Sequence, residues 1–269
     1  MTTRLDTELV RRGLARSRRH AGELIAAGRV SVDGRPVQRS ATQVDPARGV
    51  TVTLDDDDPG YASRAGHKLA GALDALPQLV VAGRHCLDAG ASTGGFTDVL
   101  LRRGARTVCA VDVGHDQLVD RLRDDPRVDV REGVNVRGLA AGDVDPAPGL
   151  VVADLSFISL PLVLPALAAV AAPAADLLVM VKPQFEVGRE RLGSGGVVRD
   201  ARLRTEAVVS VAHAAAALGL GVRAVVTSPL PGPSGNVEYF LWLRAEVSPQ
   251  VPTEQIERVV SGGLPGGAL

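Results

Sequence analysis

The sequence predicts a mostly parallel, doubly wound α/β sheet with an antiparallel last strand, preceded by a small α+β unit. Three observations carry this. After about residue 60, short apolar runs rich in Val, Leu and Ala alternate with helical stretches, as in a sheet buried on both faces. The first of these runs ends in a glycine-rich turn that opens a helix. The basic residues are unevenly placed: residues 1 to 40 hold nine arginines against Asp6, Glu8, Glu23 and Asp33, a local balance of +5 in a chain whose net charge is -1.

The 269 residues, 45% of them hydrophobic, have the material for one large domain and one small one. Aromatic residues make up only 3%, so aliphatic side chains must fill the core. A near-neutral total excludes a protein that coats nucleic acid through bulk charge, and places any such contact at the N-terminus. Cys86 and Cys109 each sit inside an apolar run and read as small core residues in a reducing cytosol. No ligand spacing calls for a metal, and MTTRLDTELVRR has no apolar secretory segment, so the expected location is the cytoplasm. Leu160 to Val181 is long enough to span a bilayer and has Asp176 as its one charge, but Pro161, Pro165 and Pro173 interrupt it. It reads as a helix, a turn and a buried strand, with no membrane insertion.

In chain order, DTELVRRG predicts a short helix. SRRHAGELIAAG predicts a second, with Ser17 as N-cap, Ala21, Leu24 and Ile25 inward, and Gly28 as a left-handed stop. RVSVDGRPV alternates as a strand and turns at Asp33-Gly34, and GVTVTL adds another strand. These elements assign residues 1–55 to one domain. DDDDPG begins a linker over 56–63, the α/β domain covers 64–247, and 248–269 form a short helix and a disordered tail. Within the α/β domain, RHCLDAG, RTVCAVDVG, VDVREG, LVVADLS, ADLLVMVKP and GVRAVVTSP are the successive strands. NVEYFLWLR is the antiparallel last one.

The first unit resembles the αL RNA-binding domain known from a ribosomal small-subunit protein. RLDTELVRRGLARSRRHAGELIAAGRVSVDG matches its helix-loop-helix-hairpin core. The resemblance implies that Arg4, Arg11, Arg12, Arg16, Arg18 and Arg19 meet phosphates.

The first α/β strand runs into Asp88-Ala-Gly-Ala-Ser-Thr-Gly-Gly-Phe96, where Gly90, Gly94 and Gly95 allow close approach to a ligand before a helix N-terminus. The spacing is G-x-x-x-G-G, not the G-x-G-x-x-G of a dinucleotide site. Asp88 suits an ammonium and would repel a pyrophosphate. Asp112 closes the second strand, where an acid accepts ribose hydroxyls. Together these positions resemble a Rossmann-like S-adenosylmethionine (SAM)-dependent methyltransferase. Asp88, Gly90, Ser92, Thr93, Gly94, Gly95, Phe96 and Asp112 are then cofactor-binding, with Asn135 or Glu132 near the adenine.

Of the 30 basic residues 28 are arginine; the two lysines are Lys68 and Lys182. A compact ammonium that can lose its proton when desolvated is what arginine does not supply. Asp154 and Lys182 end the fourth and fifth strands and should open on one sheet edge, with Glu238 and Lys68 as further carboxylate and lysine partners. SRAGHKL, LDAGASTGGFTDVLL, ADLSFISL, VKPQFEVG and GPSGNVEYFLW, behind an αL domain, resemble the TlyA (hemolysin A) family. Its catalytic domain is similar to FtsJ-type ribose 2′-O-methyltransferases. That resemblance places a Lys-Asp-Lys-Glu tetrad on Lys68, Asp154, Lys182 and Glu238. It implies methyl transfer from SAM to cytidine 2′-hydroxyls in ribosomal RNA or ribosomal subunits. The linker DDDDPGYA departs from the aromatic pair found in mycobacterial members. The alternatives are a membrane-lytic hemolysin, a non-catalytic RNA-binding assembly factor and a small-molecule methyltransferase.

Overall fold

The computed structural model describes residues 2–15, 18–26, 28–52, 59–245 and 252–262, without the side chains of Arg19, Glu23, Arg189 and Ser194. It divides into two compact units, Met1–Gly60 and Tyr61–Leu269. Ser17 and Arg16, most of the linker, and residues 263–269 of the tail lie outside the described residues.

In the first unit, β1 (Thr3–Arg4) leads into α1 (Leu5–Arg11) and α2 (Arg18–Ala26), followed by β2 (Val30–Val32), β3 (Arg35–Pro36), β4 (Gln43–Val44) and β5 (Val50–Val52). β2 is the middle of an antiparallel sheet, flanked by β3 and β5. Asp33 and Gly34 both take positive φ, +49° and +75°, in the two-residue turn from β2 to β3, the backbone such a tight hairpin requires. Gly28, at φ +72°, stops α2 as its sequence predicts. The pairing of β1 with β4 was not expected, because two-residue strands show no periodicity. Leu5, Leu9, Ala21, Leu24, Ile25, Val30 and Val44 bury together between helices and hairpin.

The second unit opens with α3 (Arg64–Ala75) and continues through β6 (His85–Ala89), α4 (Gly95–Arg102), β7 (Thr107–Val111), α5 (Asp120–Arg123), β8 (Val128–Arg131), β9 (Leu150–Ala153), α6 (Leu164–Val170), β10 (Asp176–Val181), α7 (Pro183–Glu186), α8 (Ala201–Ala216), β11 (Leu220–Thr227), β12 (Tyr239–Ala245) and α9 (Thr253–Ser261). The sheet order is β11-β12-β10-β9-β6-β7-β8. β8, β7, β6, β9 and β10 are mutually parallel, and β12 runs antiparallel between β10 and β11. Successive residues of β10 go to opposite faces: Leu177, Val179 and Val181 pack with α6, α8 and α9, and Leu178 and Met180 with α3 and α4. Both faces are therefore core, which is why the strands read as continuous apolar runs.

The apolar stretch from Leu160 to Val181 resolves into a short 3₁₀ turn, α6 and β10, as its prolines predict. Its one charge, Asp176, is buried yet satisfied. Arg84 donates to Oδ2 at 2.5 Å and the Trp242 indole to Oδ1 at 2.8 Å. No helix among the described residues is long and apolar enough to cross a membrane. Both cysteines are free and buried, and burial pushes each thiol up to about 12, so neither supplies a thiolate.

Candidate active site

Parallel strands deliver their carboxyl ends to one edge, and the antiparallel β12 delivers its first residue to that same edge, since Val181 pairs with Tyr239. Gly90, Asp112, Asp154 and Lys182 thus follow β6, β7, β9 and β10, and Glu238 immediately precedes β12.

The structure brings the two lysines and two carboxylates together as two pairs. Lys182 Nζ lies 2.6 Å from Asp154 Oδ1 and donates to Ser156 Oγ at 2.9 Å. Oδ1 accepts no aligned hydrogen bond, so the first contact is one of charge. Lys68, reaching in from α3, donates to Glu238 Oε2 at 2.5 Å with both side chains buried. Gln184 Nε2 reaches the other oxygen of Glu238 at 3.4 Å. A Cβ at Gly232 would stand 2.5 Å from that oxygen, so a larger residue there would push the Glu238 carboxylate aside. The loop holding Gly232 is fastened to α3 through Arg64, which donates to the Pro231 carbonyl at 2.9 Å.

Two aromatic rings border these pairs. Phe157, three residues after Asp154, is 92% exposed, takes φ +63°, and lies 5.2 Å from Phe185 between ring centroids. That left-handed backbone is strained for a residue with a Cβ. Sequence reasoning missed Phe157, Ser156 and Gln184. Within ADLSFIS and VKPQFEVG nothing in the residue types says which way a loop side chain points.

The glycine turn adjoins the same edge. A Cβ at Gly90, φ +89°, would meet the Asp154 carbonyl oxygen at 2.7 Å, so turn and pair share a wall. At Gly94, which takes φ +95°, the space of a Cβ is filled by Leu122 and Leu118, and at Gly95 by Ser63 and the Gly66 nitrogen. The Phe96 ring is buried and stacked on Phe240.

Asp88 is wholly buried, one residue inside the end of β6, and accepts the Thr97 hydroxyl at 2.6 Å on Oδ2. Burial pushes its carboxyl up to about 7, against the hydrogen bond from Thr97, and Oδ1 is left without a partner. Asp112 accepts Ser92 N–H on Oδ2 at 2.8 Å and Gly114 N–H on Oδ1 at 2.7 Å, tying the glycine turn to the turn after β7. Two carboxylate oxygens retain lone pairs for further donors. The next residue, Val113, is an exposed apolar side chain. Ser92 Oγ bonds Gln117, and the Thr93 carbonyl accepts Val119 N–H. Asn135 and Glu132 have structural partners. Asn135 caps the 3₁₀ turn that follows it through Arg137 N–H, and Glu132, held down at about 2 by Arg123, also accepts Gln117 N–H.

In the N-terminal unit the expected phosphate contacts sort themselves by their partners. Glu8 is fully buried and takes Arg11 at 2.5 Å and Arg12 at 2.6 Å; Asp6 takes Arg4 at 2.8 Å and Arg18 at 3.3 Å. Arg12 also donates to the carbonyls of Arg48 and Pro46, which holds the 46–48 loop against α1. Arg4, Arg11 and Arg18 keep largely exposed side chains. Arg16, and the side chain of Arg19, lie outside the described residues.

The FtsJ-like methyltransferase profile matches residues 61–245, and the S4 domain profile matches residues 3–49. A Mycobacterium tuberculosis protein, the 16S/23S rRNA (cytidine-2′-O)-methyltransferase TlyA, is 53% identical over 264 residues, 98% of each chain. The chain belongs to the TlyA family of FtsJ-like methyltransferases. Hemolysin A of Brachyspira hyodysenteriae, 36% identical over 88% of this chain and 98% of its own, is another relative. A Streptococcus thermophilus structure solved under a hemolysin name superposes with a TM-score of 0.78 at 36% identity, covering 97% of this chain and 95% of that one. The family thus includes members with hemolysin names, and in this chain the catalytic unit has a methyltransferase fold. Among the described residues no cluster of His, Cys, Asp and Glu is arranged to hold a metal ion.

Proposed function

We propose that this protein is a SAM-dependent 2′-O-methyltransferase acting on cytidine ribose in ribosomal RNA of both subunits, in the cytoplasm. Residues 1–55 form its RNA-binding domain and 64–247 its catalytic domain. The observation that carries this reading is the pairing of Lys182 with Asp154 and of Lys68 with Glu238, at one sheet edge, against the glycine turn. The M. tuberculosis relative is a 16S/23S rRNA (cytidine-2′-O)-methyltransferase, which agrees with this reading.

The residues present fit the cofactor. Asp88 has an unpartnered oxygen beneath the glycine turn, Asp112 has lone pairs for ribose hydroxyls, and Val113 offers an apolar flank for a purine. Bound SAM supplies a sulfonium methyl as the electrophile. A ribose hydroxyl is a weak nucleophile, so the protein must orient its oxygen and remove its proton. Lys182, fixed by Ser156, orients the oxygen and, once it has shed its own proton, takes the hydroxyl proton as a neutral amine, with Asp154 stabilising the ammonium that re-forms. Lys68 and Glu238 neutralise one another, and Phe157 with Phe185 gives the base a stacking surface. The exposed arginines Arg4, Arg11 and Arg18 meet phosphates.

Incubating ribosomal subunits with labelled SAM and this protein tests the reading. Label recovered as 2′-O-methylcytidine supports it. Label in protein or small molecules alone, or lysis of membranes without SAM, contradicts it.

A further inference from the structure

Three consecutive side chains after Lys182 leave α7 in three directions. Gln184 reaches Glu238, Phe185 packs on Phe157, and Glu186 turns to the segment after β9. Glu186 Oε2 accepts the Ser159 hydroxyl at 2.6 Å, and Oε1 accepts the Leu160 N–H at 2.9 Å. The loop from Asp154 to Leu160 is therefore gripped at both ends by one short piece of chain. Lys182 holds Asp154 and Ser156 at the front, Glu186 holds Ser159 and Leu160 at the back, and Phe157 projects between.

Between the two grips the loop contains the left-handed Phe157, a conformation that relaxes unless its neighbours over-determine it. Lys182 cannot supply that alone, because it is the group that must change protonation and partner during turnover. We propose that Glu186 is a positioning residue for methyl transfer, holding the 154–160 loop so that Asp154 stays on Lys182 and Phe157 stays above the site. Glu186 is half-buried, and burial pushes its carboxyl above the usual range while Ser159 and Leu160 pull it down. The two hydrogen bonds thus carry the energy of an acceptor with little access to water. This role rests on the methyltransferase reading above, and the influence of Glu186 passes through Ser159 and Leu160.

The test uses the full chain with Glu186→Ala and Glu186→Gln. It measures methyl transfer to ribosomal subunits, SAM binding by calorimetry, and amide hydrogen exchange over residues 154–162 without substrate. A misplacement of the loop is expected to lower kcat by at least about tenfold in Glu186→Ala. KM for subunits and SAM affinity are expected to stay within about twofold of the parent, since the loss is confined to the reacting geometry. Exchange at Leu160 should rise in Glu186→Ala. Glu186→Gln, which keeps an acceptor for Leu160 and a donor for Ser159, should recover most of both properties. Unchanged kcat or unchanged exchange in Glu186→Ala overturns the proposal, as does a loss shared equally by SAM binding or not relieved by Gln. A parent protein that transfers no methyl group refutes the methyltransferase reading instead, and the exchange measurement then still decides whether Glu186 holds the loop.

Discussion

Lys68 and Glu238 stand 170 positions apart in the chain and meet at 2.5 Å with side chains 7% and 1% exposed. Removing one member of such a pair leaves the other charge buried and uncompensated, which costs about 3–5 kcal/mol, whereas replacing both by apolar residues is close to neutral. Lys68→Met and Glu238→Leu should each destabilise strongly, and the double variant should recover much of the loss. Urea denaturation of the four proteins measures this, and simple additivity of the two losses would contradict the pairing. Methyl transfer is expected to be absent from all three variants.

Phe157 separates function from stability. Its exposed ring contributes little to the core, and its φ of +63° strains the backbone. Phe157→Gly should leave stability unchanged or raise it by up to about 1 kcal/mol by relieving that strain. Methyl transfer should nevertheless fall, mainly through a lower kcat, because the ring holds the base in the reacting geometry. A drop in stability with unchanged transfer would show the ring to be a packing residue.

Asp88 predicts a pH dependence. Its carboxyl titrates at about 7 in the folded protein against 3.8 ordinarily, so the folded state holds its proton more readily than the unfolded chain. That contribution to stability is complete below 3.8 and lost as pH rises through about 7. Asp88→Asn lacks the loss. Its melting temperature should exceed the parent's by at least about 3 °C at pH 8, with the difference shrinking toward pH 4. Calorimetric scans across this range check the slope, and an equal difference at every pH would assign the effect to packing.

Glu8 predicts the opposite slope in the N-terminal unit. Arg11 first and Arg12 second hold its carboxyl at about 2 against an ordinary 4.5. The stability it confers is complete above 4.5 and lost as pH falls toward 2. Arg12→Ala should move that loss to higher pH, because one of the two guanidinium partners and the tether to Pro46 and Arg48 go with it. Amide signals from residues 2–52 in an acid titration by NMR follow the transition. Identical titrations in parent and variant would show that Arg12 does not hold the Glu8 carboxyl down.

Much of the fold was legible because burial on both faces writes itself as unbroken apolar runs such as Leu150–Ala153 and Asp176–Val181, and because polar residues at their ends fall on one edge. The rarity of lysine pointed to Lys68 and Lys182, and their placement beside Asp154 and Glu238 was implied by family resemblance. Side-chain direction was not legible. Phe96 sits in the glycine-turn motif yet faces the core, while Phe157 sits in an apolar-looking run yet faces water. Nor was it legible that Leu122 and Ser63 fill the space of a Cβ at Gly94 and Gly95. The pairing of Arg12 with Glu8 did have a signal. Glu8 precedes Arg11 by three and Arg12 by four, the spacing that joins side chains on a helix.

The central claim is that Lys182, held by Asp154 and Ser156, activates a ribose hydroxyl in ribosomal RNA. Mapping 2′-O-methylcytidine in ribosomal subunits treated with SAM and either the parent protein or Lys182→Arg tests it most directly, with SAM binding measured alongside. The arginine variant keeps the charge but cannot act as a compact amine that gives up and takes back a proton. The parent should methylate both subunits, and Lys182→Arg should bind SAM as the parent does and methylate neither. Methylation by Lys182→Arg at the parent's rate would contradict the assignment.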